Sequence, residues 1–135
     1  MAAAENAKHC VAFASGSAAT SAVVHLLSHG QSILCIDDVY GGTQRYFRKI
    51  VNPAMNINIE FLDFDDMELI KEQIASNEKA GAKARLLWLE TPTNPTLKVS
   101  FRNLNIHRFH ASSRSRFNWI ISIDLRHQQC VQSCS

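Results

Sequence analysis

Leu86-Leu87-Trp88-Leu89-Glu90-Thr91-Pro92-Thr93-Asn94-Pro95 is an apolar run that stops in two prolines with an amide between them. The run has the length of a short buried strand. X-Pro steps hold the chain extended beyond it, which presents Asn94 on a stiff loop at the carboxyl end of that strand. Open α/β sheets place their ligands at this end. The same residues also read as a rigid β-turn with no ligand, so the surrounding chain has to decide.

Upstream, the pattern alternates between strands and helices. Val11-Ala12-Phe13-Ala14 is a short apolar run that ends in Ser15-Gly16-Ser17. Ala18, Ala22 and Leu26 then form one i+4 row, and Ala19, Val23 and Leu27 form the next. These rows predict a helix that stops near Gly30. Ser32–Ile36 reads as a buried strand, and Ile57–Leu62 alternates as a strand with one buried face. Between them, Gln44–Val51 reads as a polar helix with Tyr46, Phe47 and Ile50 inward, ended by Pro53. Asp65 or Asp66 is placed to cap a helix over Met67–Ala75, in which Met67, Ile70 and Ile74 make a core stripe. Ser76–Lys83 reads as a loop and Ala84–Glu90 as the strand feeding the opening motif. Strand and helix in alternation imply right-handed crossovers and a parallel sheet, an α/β fold.

Two segments could face a ligand together with Asn94. Small residues at Gly16 and Ser17 leave the first-turn N–H groups open to an anion, which the helix dipole also favours. An N-cap without a ligand fits the same residues. Tyr40-Gly41-Gly42 sets an aromatic beside two glycines that allow a sharp turn and close approach to something flat. Tyr40 could stack on a ring, or it could be a partly buried turn tyrosine.

The composition is that of one modest soluble domain of 135 residues, 46% apolar and 19% charged. No apolar run is long enough to span a membrane, and Met1–His9 lacks the basic and apolar regions of a signal peptide. Cys10, Cys35, Cys130 and Cys134 show no framework spacing, which favours free thiols in a reducing, cytoplasmic compartment. The net charge of +2 hides a shift. Residues 1–99 carry 9 Lys/Arg against 11 Asp/Glu, whereas residues 100–135 carry five Arg and one acid. That change marks a boundary near Val99–Ser100.

Beyond the boundary the patterning weakens, although Asn118–Ile123 could be a strand. His107-x-x-His110 and His127-x-x-Cys130-x-x-x-Cys134 carry zinc-ligand types, but at spacings that fit no finger, so no metal site is expected. The arginines lack the aromatic interleaving or module of a nucleic-acid binder. Residues 100–135 therefore read as an unmatched Arg/Ser/His-rich tail, arising from a frame change or poorly ordered. Read one nucleotide later with permitted codons, Leu125–Ser133 and the first base of Cys134 can spell Phe-Asp-Thr-Asn-Asn-Val-Phe-Ser-Pro.

Phe13–Ala19, Asp37–Phe47 and Trp88–Thr96 occur in this order at suitable spacing. Together they resemble the pyridoxal-phosphate enzymes of cysteine and methionine metabolism, the transsulfuration family, nearest its cystathionine γ-lyase branch. The resemblance covers residues 7–99. It implies the aspartate-aminotransferase-like fold (fold type I), of which residues 1–99 would be part of the large cofactor-binding domain. The cofactor implied is pyridoxal 5′-phosphate. By resemblance, Gly16 and Ser17 offer N–H groups to its phosphate, Tyr40 stacks on its ring, and Asn94 hydrogen-bonds its phenolic oxygen.

The reaction implied is the splitting of cystathionine into cysteine, 2-oxobutanoate and ammonia. Cystathionine γ-synthase, cystathionine β-lyase and methionine γ-lyase are alternatives within the family. The family's Schiff-base lysine lies in a Ser-x-Thr-Lys-like context, which none of Lys8, Lys49, Lys71, Lys79, Lys83 and Lys98 matches. Asp124 does not convincingly match the aspartate that pairs with the ring nitrogen, and the family's Tyr-Ser-Arg segment and C-terminal domain have no counterpart. The expectation is a chain shortened at both ends, with no catalytic residue and no turnover alone. A non-catalytic partner that associates with full-length, tetrameric homologues is the other reading, with no nucleic acid or membrane involved.

Overall fold

The computed structural model describes residues 3, 10–90, 92–99, 119–123 and 130–133. Five strands, β1 (Ser32–Ile36), β2 (Asn58–Leu62), β3 (Ala84–Glu90), β4 (Trp119–Ile123) and β5 (Cys130–Ser133), form one sheet. Their spatial order is β2-β1-β3-β4-β5. β1 runs parallel to β2 and β3, and β3 parallel to β4, while β5 pairs antiparallel with β4. This is the parallel-rich α/β sheet that both the alternation and the resemblance lead one to expect. The expected strand over 118–123 is found as β4.

Every residue of β1 is buried, and so is β3 apart from the half-buried Arg85. An uninterrupted apolar strand is what a sheet covered on both faces requires. Trp88 sits in this core with its ring centroid 5.3 Å from that of Phe47, edge to face. β2 borders β1 on its outer side and is less buried. The Arg48 guanidinium lies 4.3 Å over the Phe61 ring and covers part of that strand.

The helices depart from the expected boundaries for local reasons. α1 (Gly16–Val24) ends well before Gly30. Leu26 and Leu27 bond back three residues to Val23 and Val24, which tightens the chain out of the α-helix. The row Ala19, Val23, Leu27 is buried, whereas Leu26 of the other row is 51% exposed. α2 (Gly41–Tyr46) starts at the paired glycines, so Gly41 and Gly42 open a helix instead of making a sharp turn. A π-helical stretch, Phe47–Val51, and α3 (Asn52–Met55) carry it past Pro53. Pro53 lies in the first turn of α3, where its missing N–H costs nothing. The wider π turn rotates the helix so that Val51 enters the core and Ile50 does not.

Asp66 caps α4 (Met67–Lys79), accepting from the N–H groups of Glu68 and Leu69. α4 runs four residues past the expected Ala75, because buried Asn77 is tied to the sheet: its Nδ2 donates to Ser32 Oγ at 3.0 Å. Ser32 Oγ in turn donates to the Ala82 carbonyl at 3.0 Å.

Among the described residues, Cys10 and Cys35 are free thiols, and no helix is long and apolar enough to cross a membrane. No metal-binding group of three or more His, Cys, Asp or Glu occurs among them either. His107, His110, His127 and Cys134 lie outside the described residues, as do residues 100–118 just past the compositional boundary.

Candidate functional site

The carboxyl ends of β1 and β3 are neighbours, because the two strands are paired in parallel. Each ends in a polar turn. After β1 come Asp37, Asp38, Val39 and Tyr40; after Glu90, the last residue of β3, comes the loop that carries Asn94.

The Asn94 loop is closed on itself. Thr93 N–H donates to the Lys98 carbonyl at 2.9 Å, and Leu97 N–H to the Thr93 carbonyl at 3.1 Å. Lys98 N–H donates to Thr93 Oγ1 at 2.8 Å. The Asn94–Pro95 peptide is cis, and Leu97 has φ 57, a left-handed conformation that a leucine rarely adopts. Asn94 is half-buried, and among the described residues its side-chain amide has no hydrogen-bond partner. An amide held at a fixed place with both its groups unused is suited to a polar ligand.

Two carboxylates join the loops. Asp38, on the β1 side, accepts at Oδ2 from the hydroxyls of Thr93 and Thr96 and from Thr96 N–H at 3.2 Å. These hydroxyls hold the Asp38 carboxyl below its ordinary value, with the charge of Lys98 adding to the effect. Glu90, on the β3 side, accepts at Oε2 from Tyr40 N–H at 2.9 Å and is only 1% exposed. Burial pushes its carboxyl above its ordinary value, partly offset by the Tyr40 N–H. The Trp88 indole N–H also favours the ionised form, at a geometry too poor to count as a hydrogen bond. Lys98 Nζ lies 3.3 Å from Asp37 Oδ2, an outer and half-exposed pair.

Tyr40 precedes α2 and presents its ring at 55% exposure. Gly42 leaves room for this ring position, since a Cβ there would lie 2.5 Å from Tyr40 Cε1 and the ring would have to shift. The glycine leaves the space that the ring occupies.

α1 supplies the third feature. Ser15 caps it, its Oγ accepting from Ala18 N–H at 3.2 Å. The N–H groups of Gly16 and Ser17 find no acceptor inside the helix, and the first turn carries no acidic side chain. Ser17 is exposed and Gly16 half-exposed. Tyr46 Oη donates to Ser21 Oγ at 3.3 Å and so joins α2 to α1, with each partner five residues from its helix start.

The structure thus ties Tyr40 and Asn94 to one edge of the sheet and links the helix of Gly16 and Ser17 to the helix that follows Tyr40. Asp38 and Glu90 are the functional candidates that sequence reading passed over. The available signal was a carboxylate closing an otherwise apolar strand. Lys8 and Asp124 lie outside the described residues; Lys49 lies in the π-helical stretch, Lys71 and Lys79 lie on α4, and Lys83 precedes β3 at its amino end.

The chain matches the model of the family "Cys/Met metabolism PLP-dependent enzyme" over residues 1–126. It is 48% identical over 99 residues to human cystathionine gamma-lyase, covering 73% of this chain and 23% of that protein. The cystathionine gamma-lyases of Macaca fascicularis and mouse are each 46% identical, over 99 and 100 residues. These stretches cover 73% and 74% of this chain and 23% of each relative. The chain therefore spans less than a quarter of the length of these relatives.

Proposed function

Because the chain belongs to the Cys/Met metabolism family of pyridoxal-phosphate-dependent enzymes, we propose that the shared edge of β1 and β3 holds pyridoxal 5′-phosphate. We assign it to a transsulfuration enzyme of the cystathionine γ-lyase type, acting on a sulfur-containing amino acid such as cystathionine. The observations that carry this reading are unused groups: an exposed ring at Tyr40 and, among the described residues, an unpaired amide at Asn94 on that edge, with open N–H groups at Gly16 and Ser17 on the helix joined to α2.

These groups fit the cofactor. The N–H groups of Gly16 and Ser17 would take its phosphate at the positive end of α1. Tyr40 would cover one face of the ring, in the space that Gly42 leaves open. Asn94 would donate to the phenolic oxygen, fixing the ring's rotation. When bound, the cofactor supplies an electron sink for the amino acid's reacting carbons.

No residue of this chain takes the part of the family's anchoring lysine in this reading, so we infer that this stretch binds and orients without turnover by itself. Association with full-length homologues belongs to the same reading, supported by the exposed apolar side chains Val11, Phe13, Leu97 and Val99. A cytoplasmic setting is supported by the free thiols Cys10 and Cys35.

Equilibrium dialysis of the 135-residue chain against pyridoxal phosphate tests the assignment. Saturable binding is expected. Asn94→Ala should weaken it about tenfold, the worth of one hydrogen bond to a charged oxygen. No saturation, or unchanged affinity in Asn94→Ala, would overturn it.

A further inference from the structure

Resting on that reading, we propose that Asp38 and Glu90 are positioning residues that together set the spacing of Tyr40 and Asn94 and hence the fit of the cofactor ring. The two carboxylates are reciprocal. Asp38 is rooted after β1 and holds the loop after β3; Glu90 is rooted on β3 and holds the turn after β1. Strand pairing fixes the roots, and the carboxylates fix what the strands carry.

Several features separate this arrangement from ordinary loop packing. Glu90 occupies a fully buried position directly after Leu86, Leu87, Trp88 and Leu89, where an apolar side chain would avoid the cost of desolvating a carboxylate. What its Oε2 accepts is a backbone N–H, that of Tyr40, so the constraint falls on the main chain that aims the ring. On the other side, one oxygen of Asp38 takes three donors from residues that flank Asn94. Buried Thr93 passes the constraint on, donating to Asp38 and accepting from Lys98 N–H. Leu97 is kept in a left-handed conformation inside this loop, which persists only where the surroundings over-determine it. The amide of Asn94 is thereby held without being touched.

A ring stacked on Tyr40 and hydrogen-bonded by Asn94 needs both groups at one separation. Displacements on the order of an ångström in such a shell are enough to lose most of the benefit of the contacts. The carboxylates act through the backbone and meet no ligand themselves.

The test uses the full chain with two pairs of variants: Glu90→Leu with Glu90→Gln, and Thr96→Val with Thr96→Ser. Leucine fills the site but accepts nothing; glutamine keeps an acceptor for Tyr40 N–H. Thr96 is exposed, so its valine variant removes one donor to Asp38 without opening the core. Pyridoxal phosphate affinity should fall about tenfold in Glu90→Leu and about threefold in Thr96→Val, as expected for loosened positioning groups. Glu90→Gln and Thr96→Ser should each stay within about twofold of the wild type. Unfolding midpoints read alongside separate positioning from stability. Affinity loss in the valine and leucine variants with retained midpoints supports the proposal. Unchanged affinity in both, or equal loss in the conservative variants, overturns it.

Amide hydrogen exchange separates this claim from the cofactor assignment. If the wild type binds no pyridoxal phosphate, the assignment fails on its own. Exchange then decides the positioning: protection of Tyr40 and Lys98 amides, lost in Glu90→Leu and Thr96→Val respectively, supports it, and unprotected amides in the wild type overturn it.

Discussion

The two ends of the sheet solve the same problem, buried polar groups beside an apolar core, in opposite ways. At the amino end, Ser32 and Asn77 form a neutral chain in which each group is used. Gln73 donates to Asn77 Oδ1 at 3.1 Å, Asn77 donates to Ser32, and Ser32 donates to the Ala82 carbonyl. At the carboxyl end the buried group is the Glu90 carboxylate, and the residues that it and the half-buried Asp38 steady keep an aromatic ring and, among the described residues, an amide unoccupied. A closed neutral network stabilises the fold. A charged network that ends in unused groups gives up part of that stability and leaves a surface able to take a ligand. The end suited to a ligand is the one where polar groups are held but not satisfied.

The sharpest break between the two ends should come from Asn77→Ala. It removes the link between α4 and β1 and leaves part of a buried network unpaired, which costs about 2 kcal/mol. Urea unfolding should show a lower midpoint, while pyridoxal phosphate affinity stays within about twofold, because the site is at the other end of the strands. A matching loss of affinity would mean that the two ends are not independent.

Gly42→Ala should do the reverse with a smaller effect. The added Cβ meets the Tyr40 ring at 2.5 Å, and the exposed ring can swing aside. Helix propensity favours alanine over glycine by up to ~1 kcal/mol, so the unfolding midpoint should hold or rise. Affinity for pyridoxal phosphate should fall roughly fivefold, the worth of about 1 kcal/mol of displaced stacking. Unchanged affinity would remove Tyr40 from the site.

What could be read from sequence follows the same division. β1 and β3 are encoded by their own apolar runs, and the strands these runs predict, Ser32–Ile36 and Ala84–Glu90, coincide with those in the fold. Parallel pairing follows from the alternation of elements. Helix ends were harder to read because distant partners set them. α4 runs on to Lys79 through Ser76 and Asn77, residues that locally favour a loop, because Asn77 reaches Ser32 across the fold. The π turn at Phe47–Val51 changes which residues face inward without any breaker in the sequence. Gly16, Ser17, Tyr40 and Asn94 could be picked out because glycines, prolines and small caps punctuate them. Asp38 and Glu90 could not, since a carboxylate's partners fifty and more residues away leave no local pattern.

The finest distinction between the ends is in their response to pH. The folded Glu90 carboxyl is raised from its ordinary value of 4.5, chiefly by burial. Between that value and the raised one, the folded chain keeps a proton that the unfolded chain has lost. Stability therefore falls as pH rises through this window. Glu90→Gln cannot titrate there, so its stability relative to wild type should climb over the window and then level off. Asp38 has the opposite sign: its lowered carboxyl adds stability that is lost as pH falls through its folded value. That contribution is present in both proteins and cancels in their difference. Asn77→Ala keeps both carboxylates, so its stability profile should run parallel to wild type at every pH, displaced by a constant. Unfolding midpoints of the three proteins across the acid range check this. A Glu90→Gln profile that also runs parallel would mean that burial of this carboxylate puts no strain on the carboxyl end, and the contrast between the two ends would fail.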